Sequence, residues 1–374
     1  MGHTMTRQLL TSLLAFGIIG TASCQPSDPA PSNTLLVNSC NKSHNAASIT
    51  KPTGVYTSVI TAGAAANTTI NGGLIRINWA DLEPAPDQFD FSAIDSRLAL
   101  LPAGKKWSLG IHGGWSSLNE SDPDFAAPMA AHMSPAWLES DYAISTFDIE
   151  FRNVTVHMPK YWDATLQARL ASMLQAVATH YQNDDRLQLV YVPQMTSNGI
   201  EGHFNGVPNS TLISAASINP NQSNAAQLFE DIWVDAALTV AKSTALAFSN
   251  KAVAFEVHEL IDRVSIPQRI MDGLLQDADF GNRAGVAMWW ISGGTTYQPN
   301  LVQALSQYQG DVYGQVIGKS SQTYRYPNND YSQVFSQAKA LCMRYIEPWN
   351  YEFENNTHND LMTDFNQFAQ DSFD

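Results

Sequence analysis

The sequence places acidic side chains directly after several of its apolar segments. These acidic residues are Glu201, Glu256, Glu259 and Glu347. Cleavage of a glycosidic bond needs two carboxyl groups that flank the bond, about 5–5.5 Å apart for retention of configuration and about 6.5–9.5 Å for inversion. One of the two must stay protonated near neutral pH, which requires an apolar or negatively charged setting.

Glu201 is the first candidate for the protonated group, because it lies in a glycine-flanked loop beside His203 and Phe204. The candidates for the second carboxyl are, in order of preference, Glu256, Glu259 and Glu347. For each of these residues the alternative is a structural carboxylate paired with an arginine or a backbone amide, since ion-pair networks also place acidic groups together.

Aromatic and polar side chains are concentrated at the same segment ends. Flat rings can stack on the apolar face of a sugar, while amides and imidazoles hydrogen-bond its hydroxyl groups. The predicted substrate-binding residues are Arg76, Asn78, Trp79, His112, Trp115, His203, His258, Trp289, Trp290, Gln315, Glu347 and Trp349. The alternative for the rings is packing in the core. Of Trp289 and Trp290, one should point inward and one outward, because successive strand residues face opposite sides.

The histidines do not predict a metal site. The spacings of His112, His203 and His258 match no ligand motif, and the sequence has no CxxC motif or Cys/His cluster. A G-x-S-x-G nucleophile motif is also missing from the sequence. We therefore predict that the protein uses neither a metal nor a cofactor.

Eight apolar segments that end near Gly, Pro or Asn indicate buried parallel strands. They are Val55–Ile60, Leu74–Asn78, Trp107–His112, Leu187–Pro193, Ala252–His258, Gly285–Ile291, Val312–Ile317 and Met343–Ile346. Apolar residues at helical spacing lie between most of them, and Asp163 is suited to cap one of these helices. The first crossover, Thr61–Gly73, is too short for a full helix.

Eight strands that alternate with helices predict a (β/α)8 TIM barrel. In such a barrel the chemistry occurs at the carboxyl ends of the strands, where the candidate residues lie. A doubly wound open sheet is the alternative, but no GxGxxG or GxxxxGK[ST] motif follows an early strand to support it.

The first 24 residues have the pattern of an export signal. Arg7 precedes a short apolar run, and small residues then lead to Cys24, as in a bacterial lipoprotein cleavage box. Residues 25–45 begin with a Pro/Ser-rich stretch that predicts a tether, and residues 46–374 remain as one barrel domain. We expect an outer-membrane or periplasmic lipoprotein anchored through Cys24, or a secreted protein.

Two further cysteines bear on the same expectation, because export leads to an oxidising compartment. Cys40 precedes the first predicted strand and Cys342 lies at the last one, and these strands are neighbours in a closed barrel. A disulfide between the two cysteines is one expectation, and a pair of buried free thiols is the alternative.

The charge of the chain excludes one class of partner. The 374 residues include 20 Lys and Arg against 35 Asp and Glu, which gives a formal net charge of −15. This balance excludes a broad basic surface for nucleic acid and disfavours adhesion to anionic lipids.

Several motifs lie at the predicted strand ends. They are W-x-x-L-E-P at 79–84 with F-D-F at 89–91, P-A-W-L at 135–138, W-D at 162–163 and G-x-E-G at 199–202. The pattern resembles glycoside hydrolases of the clan-A barrel type and is most similar to the family 42 β-galactosidase-like branch. The resemblance implies a sugar-cleaving barrel with a fourth-strand Glu as acid/base and a seventh-strand Glu as nucleophile. Glu201 matches the first, whereas Gln315 stands on the seventh predicted strand.

Together, the residues and the resemblance predict a glycoside hydrolase that acts on an oligo- or polysaccharide. One alternative is a non-catalytic, carbohydrate-binding surface lipoprotein that keeps the barrel. Another is a sugar lyase or isomerase in the same barrel.

Overall fold

The computed structural model describes residues 40, 49–115, 133–151, 154–204 and 206–373. The predicted export signal, including Cys24, and most of the predicted tether lie outside the described residues. Among the residues that are described, no helix is both long enough and apolar enough to cross a membrane.

The strands form a closed barrel and one separate hairpin. In chain order they are β1 (Gly54–Thr57), β2 (Gly72–Asn78), β3 (Lys106–His112), β4 (Thr146–Phe151), β5 (Val154–Pro159), β6 (Leu187–Tyr191), β7 (Ala252–Glu256), β8 (Ala284–Ile291), β9 (Val312–Val316) and β10 (Met343–Glu347). The barrel order is β1-β10-β9-β8-β7-β6-β3-β2, with every neighbouring pair parallel, and β1 pairs with both β2 and β10. The predicted (β/α)8 TIM barrel is confirmed.

The helices lie mainly between the barrel strands. They are α1 (Ala62–Ala66), α2 (Trp79–Leu82), α3 (Ser92–Leu98), α4 (Trp137–Tyr142), α5 (Ala164–Tyr181), α6 (Asn209–Ala215), α7 (Ala225–Ala247), α8 (Ser265–Gln276), α9 (Pro299–Gln307), α10 (Ser332–Ala340), α11 (Asn350–Glu354) and α12 (Asn359–Phe373). The first crossover holds only the short helix α1, as its length predicts. Helix α5 begins where Asp163 accepts a hydrogen bond from the backbone N–H of Leu166, which confirms the predicted N-cap.

Alternate residues of the barrel strands face its interior. The interior cluster consists of Tyr56, Leu74, Leu189, Tyr191, Ile200, Ala252, Ala254, Ala287, Trp289, Tyr313 and Tyr345. The alanines of β7 and β8 leave room for the large rings, so the interior is filled by side chains of unequal size. The strand residues of opposite parity pack against the helices.

The same alternation sets the side chains at the carboxyl end of the barrel. Leu74 faces the interior, so Arg76 and Asn78 on the same strand share its side. Glu256, Gln315 and Glu347 occupy the corresponding ends of β7, β9 and β10. We call this end of the cylinder, with the loops that follow its strands, the barrel mouth.

A disulfide joins Cys40 to Cys342, with 5.6 Å between their Cα atoms. The predicted disulfide is therefore confirmed, and the alternative of two free thiols is wrong. Cys40 falls within the predicted tether at 25–45, and the disulfide ties it to Cys342, directly before β10.

Candidate active site

The loop after β6 folds back over the barrel mouth. The carbonyl of Gly199 accepts hydrogen bonds from the backbone N–H groups of Gly113 (3.2 Å) and Gln194 (2.9 Å). The side chain of Ile200 then enters the barrel interior next to Gly110, where a Cβ atom would lie only 2.7 Å from Ile200 Cδ1. This packing fixes the position of the next residue, Glu201.

Glu201 reaches the barrel mouth with its side chain 24% exposed. Its Oε1 accepts a hydrogen bond from Asn198 Nδ2 (3.1 Å), and its Oε2 lies 3.2 Å from His203 Nε2. Burial raises the pKa of Glu201, but the bond to His203 and the imidazoles of His203 and His258 outweigh it, so the pKa lies below its ordinary value. Glu201 is therefore ionised at neutral pH, whereas the sequence predicted a protonated acid.

Glu256 lies behind Glu201 and has no exposed surface. Its Oε2 accepts the backbone N–H of Gly202 (2.7 Å) and lies 2.9 Å from His258 Nδ1, and its Oε1 accepts the N–H of Trp289 (3.1 Å). Burial and the charge of Glu201 hold the pKa of Glu256 well above its ordinary value. The residue that the sequence favoured as second carboxyl therefore supports the loop of Glu201 and does not face the open mouth.

Glu259 is partly exposed beyond the end of β7. Its backbone N–H donates to Gln298 Oε1 (2.8 Å), and among the described residues its Oε1 has no hydrogen-bond partner. The nearby Tyr297 is 54% exposed. Burial raises the pKa of Tyr297, and the charges of Glu256, Glu201 and Glu259 raise it further. The ring of Tyr297 packs against those of His258 and Trp290.

Glu347 lies deeper, at the end of β10, and is fully buried. Its Oε1 accepts hydrogen bonds from the hydroxyls of Tyr191 (3.0 Å) and Tyr345, and its Oε2 accepts one from Gln315 Nε2 (2.6 Å). Burial raises the pKa of Glu347 to about 7, although these bonds and the charge of Arg76 oppose the shift. Gln315 is the register partner of Glu347 across β9 and β10, so the seventh barrel strand supplies an amide that holds this carboxyl.

Arg76 presents its side chain to solvent within the mouth. Its charge interacts with those of Glu347 and Glu201, yet among the described residues it makes no hydrogen bond or ion pair. Burial, with the nearby charge of Arg76, lowers the pKa of His112 to about 3, so this imidazole is neutral. Asn78 is partly exposed, and its Nδ2 donates a hydrogen bond to Asp81 Oδ2 (2.9 Å).

Most of the predicted stacking rings are buried. Trp79 is fully buried and donates from Nε1 to Glu83 Oε2 (2.7 Å), and Trp115 is fully buried with Nε1 bonded to the carbonyl of Ser197 (3.1 Å). These two rings therefore anchor loops and present no face to a sugar, contrary to the prediction. The reason is that the indole N–H of each ring donates a hydrogen bond to an acceptor inside the protein, which allows the whole ring to be buried.

The remaining tryptophans divide as the strand alternation predicts. Trp289 belongs to the interior cluster and packs edge to face on Tyr191, whereas Trp290 packs on the outer side. Both rings are nearly buried. Trp349 is partly exposed, with Nε1 bonded to the carbonyl of Val316 (2.7 Å), and it keeps surface that a sugar could cover.

Sequence reasoning missed several polar groups of the mouth. Asn198 orients Glu201, and Tyr191 and Tyr345 hold Glu347. The two tyrosines could have been found from the strand alternation, because they share the inward parity of the other interior residues. Tyr297 gave no such signal, since it lies in a loop.

No family model and no curated protein matches this sequence. Endo-glycoceramidase II from Rhodococcus sp., solved as a lactosyl-enzyme intermediate, is similar with a TM-score of 0.45 and 12% identity, over 80% of this chain and 73% of that chain.

Two further solved structures are similar to a comparable degree. A GH5-4 broad specificity endoglucanase from an uncultured bacterium has a TM-score of 0.46 and 10% identity, over 80% of each chain. Xylanase XynB from Paenibacillus barcinonensis, complexed with a conduramine derivative, has a TM-score of 0.45 and 13% identity, over 79% of this chain and 83% of that chain. All three are glycosidases by name. None is described as a family 42 enzyme, so that part of the resemblance stays a prediction, and at these values the likeness assigns neither activity nor substrate.

Proposed function

We propose that this protein hydrolyses glycosidic bonds of an oligo- or polysaccharide, with Glu201 as the carboxylate that contacts the reacting sugar. The observation that carries the proposal is the setting of Glu201. It is ionised, partly exposed and oriented by Asn198 and His203 at the carboxyl end of a closed barrel, which is where barrel enzymes perform their chemistry.

Access to solvent selects the second carboxyl. Glu256 and Glu347 are fully buried, and each of their oxygens already accepts a hydrogen bond within the protein. Glu259 is partly exposed beyond the end of β7, and its charge, like that of Glu201, raises the pKa of Tyr297. We therefore assign Glu201 as base or nucleophile and Glu259 as the second carboxyl group of the pair.

Glu256 acts in this scheme as a positioning residue. It binds the backbone N–H of Gly202, directly after Glu201, and it holds His258 beside His203. Burial, with the charge of Glu201, holds the pKa of Glu256 well above its ordinary value.

The mouth also offers groups that suit a sugar. The Arg76 guanidinium supplies hydrogen-bond donors that no described residue uses, and the exposed surfaces of Trp349 and Tyr297 provide flat apolar area. We assign these three residues to substrate binding.

We also propose export, with a lipid anchor on Cys24. The disulfide between Cys40 and Cys342 supports this proposal, because structural disulfides persist in oxidising compartments. The acylated cysteine and the following Pro/Ser-rich residues would tether the protein to a membrane surface.

The experiment is a hydrolysis and binding screen of a glycan panel with wild-type protein, Glu201→Gln and Glu150→Gln. Glu150 is an exposed glutamate of the hairpin, so its variant is a matched control. We expect Glu201→Gln to lower kcat/KM by a factor on the order of 10²–10⁴ while sugar binding persists, and Glu150→Gln to behave as wild type.

The same screen separates the alternatives. Binding of sugar with no turnover by the wild type would contradict hydrolysis and support a carbohydrate-binding lipoprotein. Unsaturated or isomerised products would support a lyase or an isomerase. A fourth variant, Glu259→Gln, is added to the screen, and an unchanged kcat/KM in it would remove Glu259 from its assigned role.

A further inference from the structure

Three groups that commonly bind metal ions converge at the barrel mouth. One ligand atom from each of Glu201, His203 and His258 lies within 4.8 Å of the other two. Glu201 Oε2 and His203 Nε2 are 3.2 Å apart, and the centroids of the two imidazole rings are 4.7 Å apart. No ligand motif marks them in the sequence because the three residues follow two different strands, β6 and β7.

The cluster also has supporting hydrogen bonds around it. His258 Nδ1 lies 2.9 Å from Glu256 Oε2, which leaves Nε2 of the same ring as its ligand atom. Histidines that bind metals usually bond a carboxylate through their second nitrogen, which fixes the orientation of the ring. The backbone N–H groups of Gly202 and Trp289 hold Glu256 in turn, and Asn198 holds Glu201.

We propose that Glu201, His203 and His258 form a binding site for one divalent transition-metal ion, for which Zn²⁺ is the probe. Two imidazole nitrogens and one carboxylate oxygen suit zinc, whereas calcium and magnesium prefer sites made of oxygen atoms. Three protein ligands leave a fourth position open. The side chains of Glu201 and His203 are 24% and 20% exposed, so this position faces the mouth.

The distances suit such an ion after a small closure. Zinc bonds of about 2.0–2.2 Å in a tetrahedron place ligand atoms about 3.3 Å apart. Glu201 and His203 already lie at 3.2 Å, and the remaining separations, at most 4.8 Å, must shorten by up to about 1.5 Å. His203 is the more exposed of the two histidines.

The site has a consequence for the proposed hydrolysis. A carboxylate that is bound to zinc can act neither as base nor as nucleophile, so a bound ion inhibits the enzyme. The binding of metal does not depend on the proposed function, because it is measured without any sugar.

The test is a calorimetric titration of untagged protein with Zn²⁺. The variants are Glu201→Gln, His258→Gln and the control His157→Gln. His157 is a half-exposed histidine of β5 whose Nδ1 lies 3.0 Å from Asp148 Oδ1, so it reproduces a histidine–carboxylate pair away from the mouth. We expect one ion per chain, at least tenfold weaker binding in the first two variants, and unchanged binding in the control.

Several results would overturn the proposal. These are the absence of stoichiometric binding, equal affinity in Glu201→Gln and wild type, and loss of binding in His157→Gln. Circular dichroism checks that each variant is folded. If the buried change His258→Gln unfolds the protein, Glu201→Gln decides, because that residue is partly exposed.

Two further measurements address the atoms involved. Glu256→Gln should weaken zinc binding by about 10–100-fold, since Glu256 only orients a ligand. X-ray absorption of the zinc-loaded protein should show imidazole nitrogen at about 2.0–2.1 Å. A shell made of oxygen alone, or one containing sulfur, would contradict the site.

Discussion

Three glutamates of the barrel mouth have the same side chain and differently shifted pKa values. The pKa of Glu201 lies below its ordinary value beside two imidazoles, burial and the charge of Glu201 hold the pKa of Glu256 well above its ordinary value, and burial raises the pKa of Glu347 to about 7. Hydrogen bonds to the charged form and burial act in opposite directions, and their balance differs at each position. The chemistry available at the mouth therefore depends on what surrounds each carboxyl group.

The buried Glu347 makes the stability of the protein depend on pH. Its pKa rises from an ordinary 4.5 to about 7 in the folded state, so its proton stabilises the fold fully below pH 4.5. This contribution is lost as the pH rises through 7. Between pH 4.5 and 8 the free energy of unfolding of the wild type should fall by up to about 3 kcal/mol relative to Glu347→Gln.

Guanidinium unfolding at several pH values measures this difference, with Glu150→Gln as the control. The groups that face Glu347 are the hydroxyls of Tyr191 and Tyr345, the amide of Gln315 and the charge of Arg76. A difference between wild type and Glu347→Gln that stays constant from pH 4.5 to 8 would contradict the raised pKa.

The sequence located Glu201 and named Glu259 as a candidate partner, but it ranked the buried Glu256 first. Glu201 could be found because it follows a recognisable strand and lies between glycines. The burial of Glu256 could not be predicted from the sequence, because it depends on the backbone of Gly202, which folds over that carboxyl group. Contacts between two loops leave no periodic pattern in the sequence.

At the scale of elements, the loop after β6 determines where Glu201 stands. Gly199 has a φ of +77°, and a Cβ atom there would lie 2.3 Å from the carbonyl oxygen of Gly113 and 2.9 Å from His112 Cβ. Two reasons therefore require glycine at position 199. Its φ is positive, and the backbone at the end of β3 approaches too closely to leave room for a side chain.

A matched pair of glycine substitutions tests this role. Gly206 has a φ of +83°, but a Cβ atom there would meet nothing within 4 Å. Gly206→Ala should cost about 1–2 kcal/mol of stability and leave activity and zinc binding intact. Gly199→Ala should cost more and should lower both, because it displaces Glu201. Equal effects of the two changes on activity and zinc binding would show that the loop does not position the site.

The elements themselves were predicted where their pattern was strong. The eight barrel strands and helix α5 follow from apolar runs and helical spacing. The hairpin of β4 and β5 was missed because it is buried on one side only. Ile149, Val156 and Met158 are buried there, whereas neighbouring residues such as Glu150 and His157 are not. A search for continuous apolar runs does not detect such alternation.

At the scale of the whole molecule, closure of the barrel brings distant parts of the chain together. β1 pairs with β10, and the disulfide links residues that are 302 positions apart in the sequence. The sequence predicted this neighbourhood from the strand count alone, since the first and last strands of a closed barrel must meet. The sequence could not distinguish a disulfide from two free thiols, because that distinction depends on the positions of both sulfur atoms.

Removal of this link should destabilise the fold. The double variant Cys40→Ser/Cys342→Ser should lose about 2–5 kcal/mol, because the unfolded chain is no longer closed into a long loop. Guanidinium unfolding with and without reducing agent measures the loss. Reduction should lower the midpoint of the wild type and leave that of the double variant unchanged. A wild-type unfolding midpoint that does not change on reduction would contradict a stabilising disulfide.

Which carboxylate meets the sugar is tested most directly by affinity labelling. An epoxyalkyl glycoside, built on the sugar that the glycan screen identifies, alkylates a carboxylate that lies next to the bound ring. Peptide mapping by mass spectrometry then finds the labelled residue. We predict one label per chain on Glu201, loss of activity in step with labelling, and protection by substrate. A label on another carboxylate, or full activity in the labelled protein, would contradict the central role of Glu201.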